Sequence, residues 1–239
     1  MLEIYILVII IAIFSIIQSI FGVGLLLFGT PTLLLLGYPY SETLWLLLPC
    51  SVTISFIQVI NNYNLIEAKR RAVYLVVPTL IIGLALVINY ANGINITRIV
   101  GVLLLLIGAI KLSKSLQSFL SSMARKYIYT YYIAIGIVHG VSNMGGGPLS
   151  ILMSTIYSKK EIIRANIAFI YLILAVFQLL VLFIISNANA RIEFVLLIPV
   201  SLASYFFASK YISSKVNDKK YAFVLNLMIL VYGILAIIK

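Results

Sequence analysis

Charged residues are scarce in this sequence. Lysine, arginine, aspartate and glutamate make up 10% of its 239 residues, and only six residues are carboxylates. Soluble globular domains carry about 25% charged residues, which cover their surface. The composition therefore excludes a soluble domain as the bulk of the chain.

Cysteine and histidine are also scarce, with one residue of each, Cys50 and His139. A single cysteine excludes an internal disulfide and a cysteine-based metal cluster. Five acidic residues fall at or near predicted loops: Glu42, Glu67, Glu161, Glu193 and Asp218. No carboxylates are paired at helical spacing, so the sequence shows no residues arranged for general acid–base catalysis. We predict that the chain is not an enzyme and that it uses no cofactor and no metal.

Apolar residues dominate instead, at 63% of the chain, with a mean hydropathy of +1.17. A helix needs about 20 apolar residues to cross a hydrocarbon core of about 30 Å. The apolar stretches cover approximately residues 4–37, 44–61, 72–90, 99–118, 127–157, 162–185, 192–209 and 219–238. We predict an all-α, multi-pass protein of the cell membrane, with one membrane domain over residues 1–239. The N-terminus lacks a basic segment and a cleavage site, so the first stretch is expected to remain in the protein.

Two of these stretches, 4–37 and 127–157, are longer than one membrane crossing and are interrupted in the middle. The interrupting motifs are Gly22-Val23-Gly24, followed by Gly29-Thr30-Pro31, and Gly145-Gly146-Gly147-Pro148. Glycine is a poor helix former and proline removes a backbone donor. We therefore predict that the helix breaks within each stretch.

The two halves of the chain match each other at a fixed offset of 121 positions. Pairs with this offset are Gln18 and His139, Gly24 and Gly145, and Pro78 and Pro199. Such self-similarity indicates an internal duplication. It divides the chain into repeat one, residues 1–118, and repeat two, residues 127–239.

Basic residues are concentrated in four predicted loops. Residues 62–71, 111–126, 158–164 and 210–220 hold 14 of the 17 lysines and arginines. Cytoplasmic loops carry an excess of basic residues, so we predict that all four loops are cytoplasmic. This holds if each interrupted stretch is a re-entrant hairpin, with six spans and both termini outside. The two repeats are then inverted, each a broken, re-entrant helical hairpin followed by three transmembrane helices.

The net charge of the chain is +11. In a protein of this composition, we expect the basic residues to contact the lipid bilayer and its anionic head groups rather than nucleic acid.

The two breaks are the predicted binding site for a small anion. A half-helix that begins inside the membrane presents free N–H groups and the positive end of its dipole. Glycine lets an anion approach the backbone closely. The predicted site residues are Gly22, Gly24, Thr30, His139, Ser142, Asn143, Gly145, Gly146, Gly147 and Pro148.

Other roles for these residues are open at this stage. The glycines can serve only for close helix packing, and the serine, threonine and asparagine side chains can cap half-helices. His139 can bind the anion, carry a coupled proton, or simply bond to neighbouring helices.

The segment from His139 to Pro148, which reads HGVSNMGGGP, resembles the second-half signature of the TauE/SafE sulfite exporter family. Phe21-Gly22-Val23-Gly24, followed by Pro31 and Gly37, resembles the first-half signature. The resemblance implies a secondary transporter that exports small, sulfur-containing anions such as sulfite or sulfonates. Alternating access around the two breaks is the expected mechanism. A passive anion channel and a membrane assembly protein without transport activity are the alternatives.

Overall fold

The computed structural model describes residues 2–67, 70, 72–89, 95–185, 192–212 and 218–239, and this part of the chain is helical without strands. Its helices are α1 (Leu2–Phe21), α2 (Leu25–Leu35), α3 (Tyr40–Asn61), α4 (Val77–Asn89), α5 (Ile96–Leu112), α6 (Lys114–Lys126), α7 (Ile128–Ser142), α8 (Gly146–Ile156), α9 (Lys160–Ile185), α10 (Ile192–Tyr211) and α11 (Asp218–Ile238). A 3₁₀ turn, Tyr63–Leu65, follows α3, and a π-helical turn, Ala72–Val76, leads into α4. The predicted all-α architecture is confirmed.

Three helices of the described part, α1, α3 and α9, are long and apolar enough to cross a membrane alone. Helices α5 and α6 pass the same test as a pair, although they bend by 104° at their junction. The other apolar helices have 10–17 described residues. The structure thus contains three or four candidate spans, and the number of six spans stays a prediction.

Each over-long stretch breaks once, at Gly22-Val23-Gly24 and just before Gly146, whereas Gly29-Thr30-Pro31 does not interrupt the chain and lies inside α2. The first break, residues 22–24, separates α1 from α2, and Gly22 adopts a left-handed conformation with φ +74°. The second break, residues 143–145, separates α7 from α8, and Asn143 is left-handed there with φ 64°. Glycine adopts this conformation without strain, and asparagine is the side chain that tolerates it best.

The first hairpin, α1 and α2, folds back on itself. The rings of Phe14 and Phe28 stack across the two helices, with centroids 5.9 Å apart. Burial and the nearby carboxylates of Glu3 and Glu42 raise the pKa of Tyr38, which follows α2. The chain therefore leaves α2 close to the end of α1 where it entered.

The second hairpin, α7 and α8, also begins and ends on one side. Arg125, just before α7, donates from Nη2 to the Thr155 carbonyl oxygen in the last turn of α8, at 3.0 Å. The Thr155 and Ser121 hydroxyls are hydrogen-bonded to each other at 3.1 Å. Helix α8 therefore returns to α6, from which α7 departs.

Each principal pair of helices joins one helix from the first half of the chain to one from the second half. Helix α1 packs against α10, and α7 packs against α4. The remaining principal pairs are α3 with α9 and α5 with α11. Each hairpin thus packs on a helix of the opposite repeat.

Helix α6 departs from the sequence prediction, because the apolar stretch 99–118 is not one helix. Helix α5 ends at Leu112, and the Ser113 side chain caps α6 by accepting a hydrogen bond from Leu116 N at 3.3 Å. Lys111 and Lys114 flank this junction. The polar cap and the two lysines end the span at the membrane edge, which allows α6 to turn by 104°.

Candidate functional site

Helix α8 begins inside the helix bundle at the second break. Gly145 occupies its N-cap position, and no side chain caps the helix. Gly145, Gly146 and Gly147 are all buried. Pro148 lies in the first turn, where its missing N–H removes no helical hydrogen bond. The N-terminus of α8 therefore presents uncapped N–H groups and a partial positive charge to the protein interior.

Two aromatic side chains pack directly on this N-terminus. The Tyr171 hydroxyl, from α9, lies where a side chain on Gly146 would begin. A Cβ on Gly145 would lie 2.9 Å from Nδ1 of His139. The two rings meet edge to face, with centroids 5.7 Å apart. Only glycine at these positions lets both rings approach the backbone.

The polar atoms around the second break are buried without hydrogen-bond partners in the described part of the chain. They are both ring nitrogens of His139, the Tyr171 hydroxyl, Oδ1 of Asn143 and Oε1 of Gln178. His139, Asn143, Tyr171 and Gln178 are each 0% exposed. An unsatisfied buried polar atom costs about 1–3 kcal/mol. Such a concentration at one helix N-terminus is typical of a binding site.

Two of these groups, the Tyr171 hydroxyl and the His139 ring, can donate hydrogen bonds to an oxyanion, whereas the two amide oxygens only accept. The tyrosine hydroxyl and one ring nitrogen of a neutral histidine are donors, and they add to the uncapped N–H groups of α8. Gln178 itself is turned toward the His139 backbone, since its Nε2 donates to that carbonyl oxygen at 3.4 Å. We call the cluster of His139, Asn143, Gly145, Gly146 and Tyr171 the second-break site.

Thr30 connects the second-break site to the first repeat. Asn143 donates from Nδ2 to the Thr30 hydroxyl oxygen, at 2.9 Å, between fully buried side chains. Ser142 has a local role instead, because its hydroxyl donates to the Val138 carbonyl oxygen at 2.6 Å and accepts from Met144 N at 3.2 Å. Ser142 therefore supports the turn between the helices.

The first break has a different environment. Gln18 accepts a hydrogen bond from Leu25 N at 3.2 Å, so a side chain satisfies the first N–H of α2. Gly24 packs against the Gln18 backbone, and Gly22 faces Ile167 and Arg164 of α9. The atoms nearest to Gly22 and Gly24 thus belong to residues other than those of the second-break site.

The ten predicted site residues therefore divide into three groups. His139, Asn143, Gly145 and Gly146 belong to the second-break site, and Thr30 is hydrogen-bonded to it. Ser142, Gly147 and Pro148 are neighbours of these residues in the sequence. Gly147 packs against Ile107 of α5. Gly22 and Gly24 form the first break.

The sequence interpretation missed Tyr171. Its signal was weak, because a tyrosine in an apolar helix is common at membrane interfaces. Tyr171 and Gln178 are seven residues apart, which places them on one face of α9 two turns apart. A polar pair with this spacing, inside a span, is the pattern that points to the site.

A family model described as sulfite exporter TauE/SafE matches residues 6–236, nearly the whole chain. This match confirms the resemblance found in the two glycine motifs. No curated protein and no solved structure matches the chain.

Proposed function

Because the chain belongs to the sulfite exporter TauE/SafE family, whose members are membrane transporters, we propose that it exports a small oxyanion, such as sulfite or a sulfonate, across the cell membrane. The observation that carries this proposal is the uncapped N-terminus of α8, with the unpartnered Tyr171 hydroxyl and His139 ring against it. The anion replaces the missing partners of these buried atoms.

The charge of the second-break site favours an anion of low charge. No lysine or arginine belongs to the site, and the helix N-terminus contributes about half of a positive charge. A buried basic residue would cost about 2.5–3.5 kcal/mol or more in the membrane, so dipoles and hydroxyls replace it. A singly charged sulfonate or hydrogen sulfite matches such a site better than a fully charged dianion.

Several contacts support an inverted repeat. The first hairpin ends at the start of α3, where Tyr38 precedes Tyr40. The second hairpin ends at the start of α9, and Asn166 of that helix accepts from Glu67 N at 2.9 Å, beyond the opposite end of α3. Because α3 is 22 residues, or about 33 Å, long, the hairpins open toward opposite ends of the bundle. The four basic loops, with 14 of the 17 lysines and arginines, then lie at one end of the bundle, which favours the same arrangement.

Alternating access follows from this inverted arrangement. Each hairpin packs on a helix of the other repeat, and the hydrogen bond from Asn143 to Thr30 joins the second-break site to α2. Rocking one repeat against the other exposes the site to each side of the membrane in turn. We therefore propose six spans and two re-entrant hairpins, with the four basic loops in the cytoplasm.

A ligand screen tests this function. The purified protein is heated with sulfite, a sulfonate, sulfate or acetate, since an anion that binds the native state raises its stability. At 100 times the dissociation constant the gain is about 2.7 kcal/mol. We expect sulfite or the sulfonate to stabilise the wild type, and Tyr171→Phe to remove most of this effect. Tyr74→Phe, which alters a 74% exposed tyrosine, is the matched control.

Two results would count against the proposal. One is that no oxyanion stabilises the wild type. The other is that Tyr171→Phe and Tyr74→Phe respond to the anion alike.

A further inference from the structure

A polar cleft lies on the side of the molecule where α8 ends. It has a volume of about 310 Å³ and is bounded by α5, α6, α8 and α11. Its polar lining consists of Lys111, Gln117, Ser121, Ser150, Ser154 and Asn226. We call it the Lys111 cleft, and none of the predicted site residues lines it.

The Lys111 cleft contains one positive charge without a counter-charge. The Lys111 ammonium makes no hydrogen bond or ion pair with the described part of the chain, and the residues that line the cleft include no carboxylate. Lys111 lies in the last turn of α5 and is half-buried. An unpaired ammonium in a partly desolvated cleft attracts an anion more strongly than one in open water.

Neutral polar groups surround this charge, and one of them has a free donor. The serine hydroxyls use their protons within the protein: Ser150 and Ser154 donate to backbone carbonyl oxygens of α8. Ser121 donates to Thr155, because the Thr155 proton is taken by the Ile151 carbonyl oxygen at 2.7 Å. Gln117 uses one N–H of Nε2 on the Lys111 carbonyl oxygen, at 2.7 Å, and has a second N–H available. The donors available to an anion are therefore the Lys111 ammonium and the Gln117 amide, and groups of these two kinds bind sulfur and phosphorus oxyanions.

The Lys111 cleft and the second-break site share helix α8. Ser150 and Ser154 follow Gly146 by about one and two turns, which is about 6 and 12 Å along the helix. Ser150 donates to the Gly147 carbonyl oxygen at 2.8 Å, so the wall of the cleft reaches the first turn of α8. An anion in the Lys111 cleft therefore lies beside α8, one to two turns from the second-break site at the N-terminus of that helix.

From these contacts we infer that the Lys111 cleft is a second anion site, an inner vestibule that holds a free small oxyanion before it moves to the second-break site. The inference rests on the proposed function for the direction of movement. The binding itself requires only the residues of the cleft. Lys111 concentrates the anion and the Gln117 amide orients it.

Cysteine protection tests the inference. Ser154, an exposed residue of the cleft, is changed to cysteine on a Cys50→Ala background, and its reaction with a maleimide is timed with and without sulfate. Purified protein in lipid-free detergent is used. We expect sulfate to slow the reaction at least about fivefold, which corresponds to about 1 kcal/mol of binding. Adding Lys111→Gln should abolish the protection. Adding Lys114→Gln, at an exposed lysine outside the cleft, should retain it.

A further variant separates this inference from the proposed function. Gly146→Leu disrupts the second-break site but leaves the cleft residues unchanged, so sulfate should still protect the cysteine at position 154. Loss of transport with retained protection supports both claims. Three results would overturn the inference: no protection by sulfate, equal protection with Lys111→Gln, or protection by phosphatidylglycerol in liposomes but not by sulfate.

Discussion

At the scale of single residues, Gly146 and Tyr171 define the site together. The tyrosine hydroxyl occupies the space of a side chain at position 146, and no other group in the described part of the chain satisfies it. Glycine is thus required for the approach of the ring, and the ring supplies the donor beside the helix N-terminus. The two residues should therefore be coupled energetically.

A double-mutant cycle tests this coupling. Gly146→Ala should destabilise the protein by about 1–3 kcal/mol through overpacking against the hydroxyl. Adding Tyr171→Phe removes the nearest atom and should recover part of that loss, with a coupling energy of about 0.5–3 kcal/mol. Anion binding should stay weak in the double mutant, because the donor is absent. The readouts are thermal unfolding and anion-induced stabilisation. Strictly additive losses in stability would contradict the contact.

Asn143 permits a second prediction at this scale, because its left-handed backbone and its hydrogen bond to Thr30 can be tested separately. Asn143→Gly keeps the conformation but loses the bond, whereas Asn143→Ala loses the bond and strains the backbone. Thr30→Val leaves the asparagine amide unpaired, at a cost of about 1–3 kcal/mol. Thermal unfolding should rank Asn143→Gly as more stable than Asn143→Ala. The reverse order would show that the left-handed conformation is not needed.

The sequence predicted the glycines and His139 but not their environment. Motif spacing shows where a helix breaks, because glycine and proline act locally. Which side chain then satisfies the new helix N-terminus depends on tertiary contacts. Gln18 performs this role at the first break, whereas the equivalent His139 does not bond to α8 at the second. The two breaks therefore differ although their motifs match.

At the scale of helices, close packing between α4 and α7 holds the second hairpin in place. Gly136 and Gly140 form a small-residue stripe on α7, and their backbones contact Val76, Thr79 and Leu80 of the neighbouring segment. Small residues allow this approach between membrane helices. The same stripe positions His139, which lies between the two glycines.

Added bulk at this interface should separate the helices. The first side-chain carbon of Gly136→Leu would lie only 2.5 Å from the Val76 carbonyl oxygen and would also meet Thr79, so the change should cost about 1–3 kcal/mol or more. Ala134→Leu adds similar bulk to an exposed position of the same helix and is the control. After heating to increasing temperatures, size-exclusion profiles should show that Gly136→Leu loses its native peak at a lower temperature than Ala134→Leu. Equal heat resistance of the two variants would argue against a tight α4–α7 interface.

Helix boundaries show why pattern alone was insufficient at this scale. Hydropathy extended the fourth apolar stretch to residue 118, but α5 ends at Leu112 and α6 begins at Lys114. Hydropathy counted Leu116 with the span and ended before Phe119 and Met123, although all three are apolar and exposed on α6. They lie at helical spacing on one face of a helix that turns by 104°.

At the scale of the whole molecule, the two halves of the chain form one interlocked bundle. The Lys239 ammonium donates to the carbonyl oxygens of Leu34 and Leu35, at 3.0 and 2.6 Å, so α11 ends beside α2. Asn166 joins the start of α9 to the segment after α3 at the other end. The match at offset 121 predicted two related halves. It could not predict that α1 packs on α10 and α7 on α4, because such pairing depends on how the halves dock.

Single-cysteine labelling in whole cells tests the proposed topology. Leu36→Cys, at an exposed position after α2, should react with an impermeant maleimide added outside. Lys159→Cys, at an exposed position before α9, should react only after the cells are opened. The native Cys50 is fully buried and should stay unreactive. Labelling of Lys159→Cys from outside would contradict the proposed cytoplasmic location of the basic loops.

The most direct test of the central claim is sulfite counterflow into proteoliposomes that hold equal amounts of wild-type or Gly146→Leu protein. A carrier with its anion site at the N-terminus of α8 should give saturable counterflow in the wild type. Leucine at position 146 displaces the Tyr171 hydroxyl and blocks the backbone donors, so counterflow should be lost while the protein remains inserted. Wild-type counterflow in Gly146→Leu would contradict the site, and flux without saturation or counterflow in the wild type would indicate a channel.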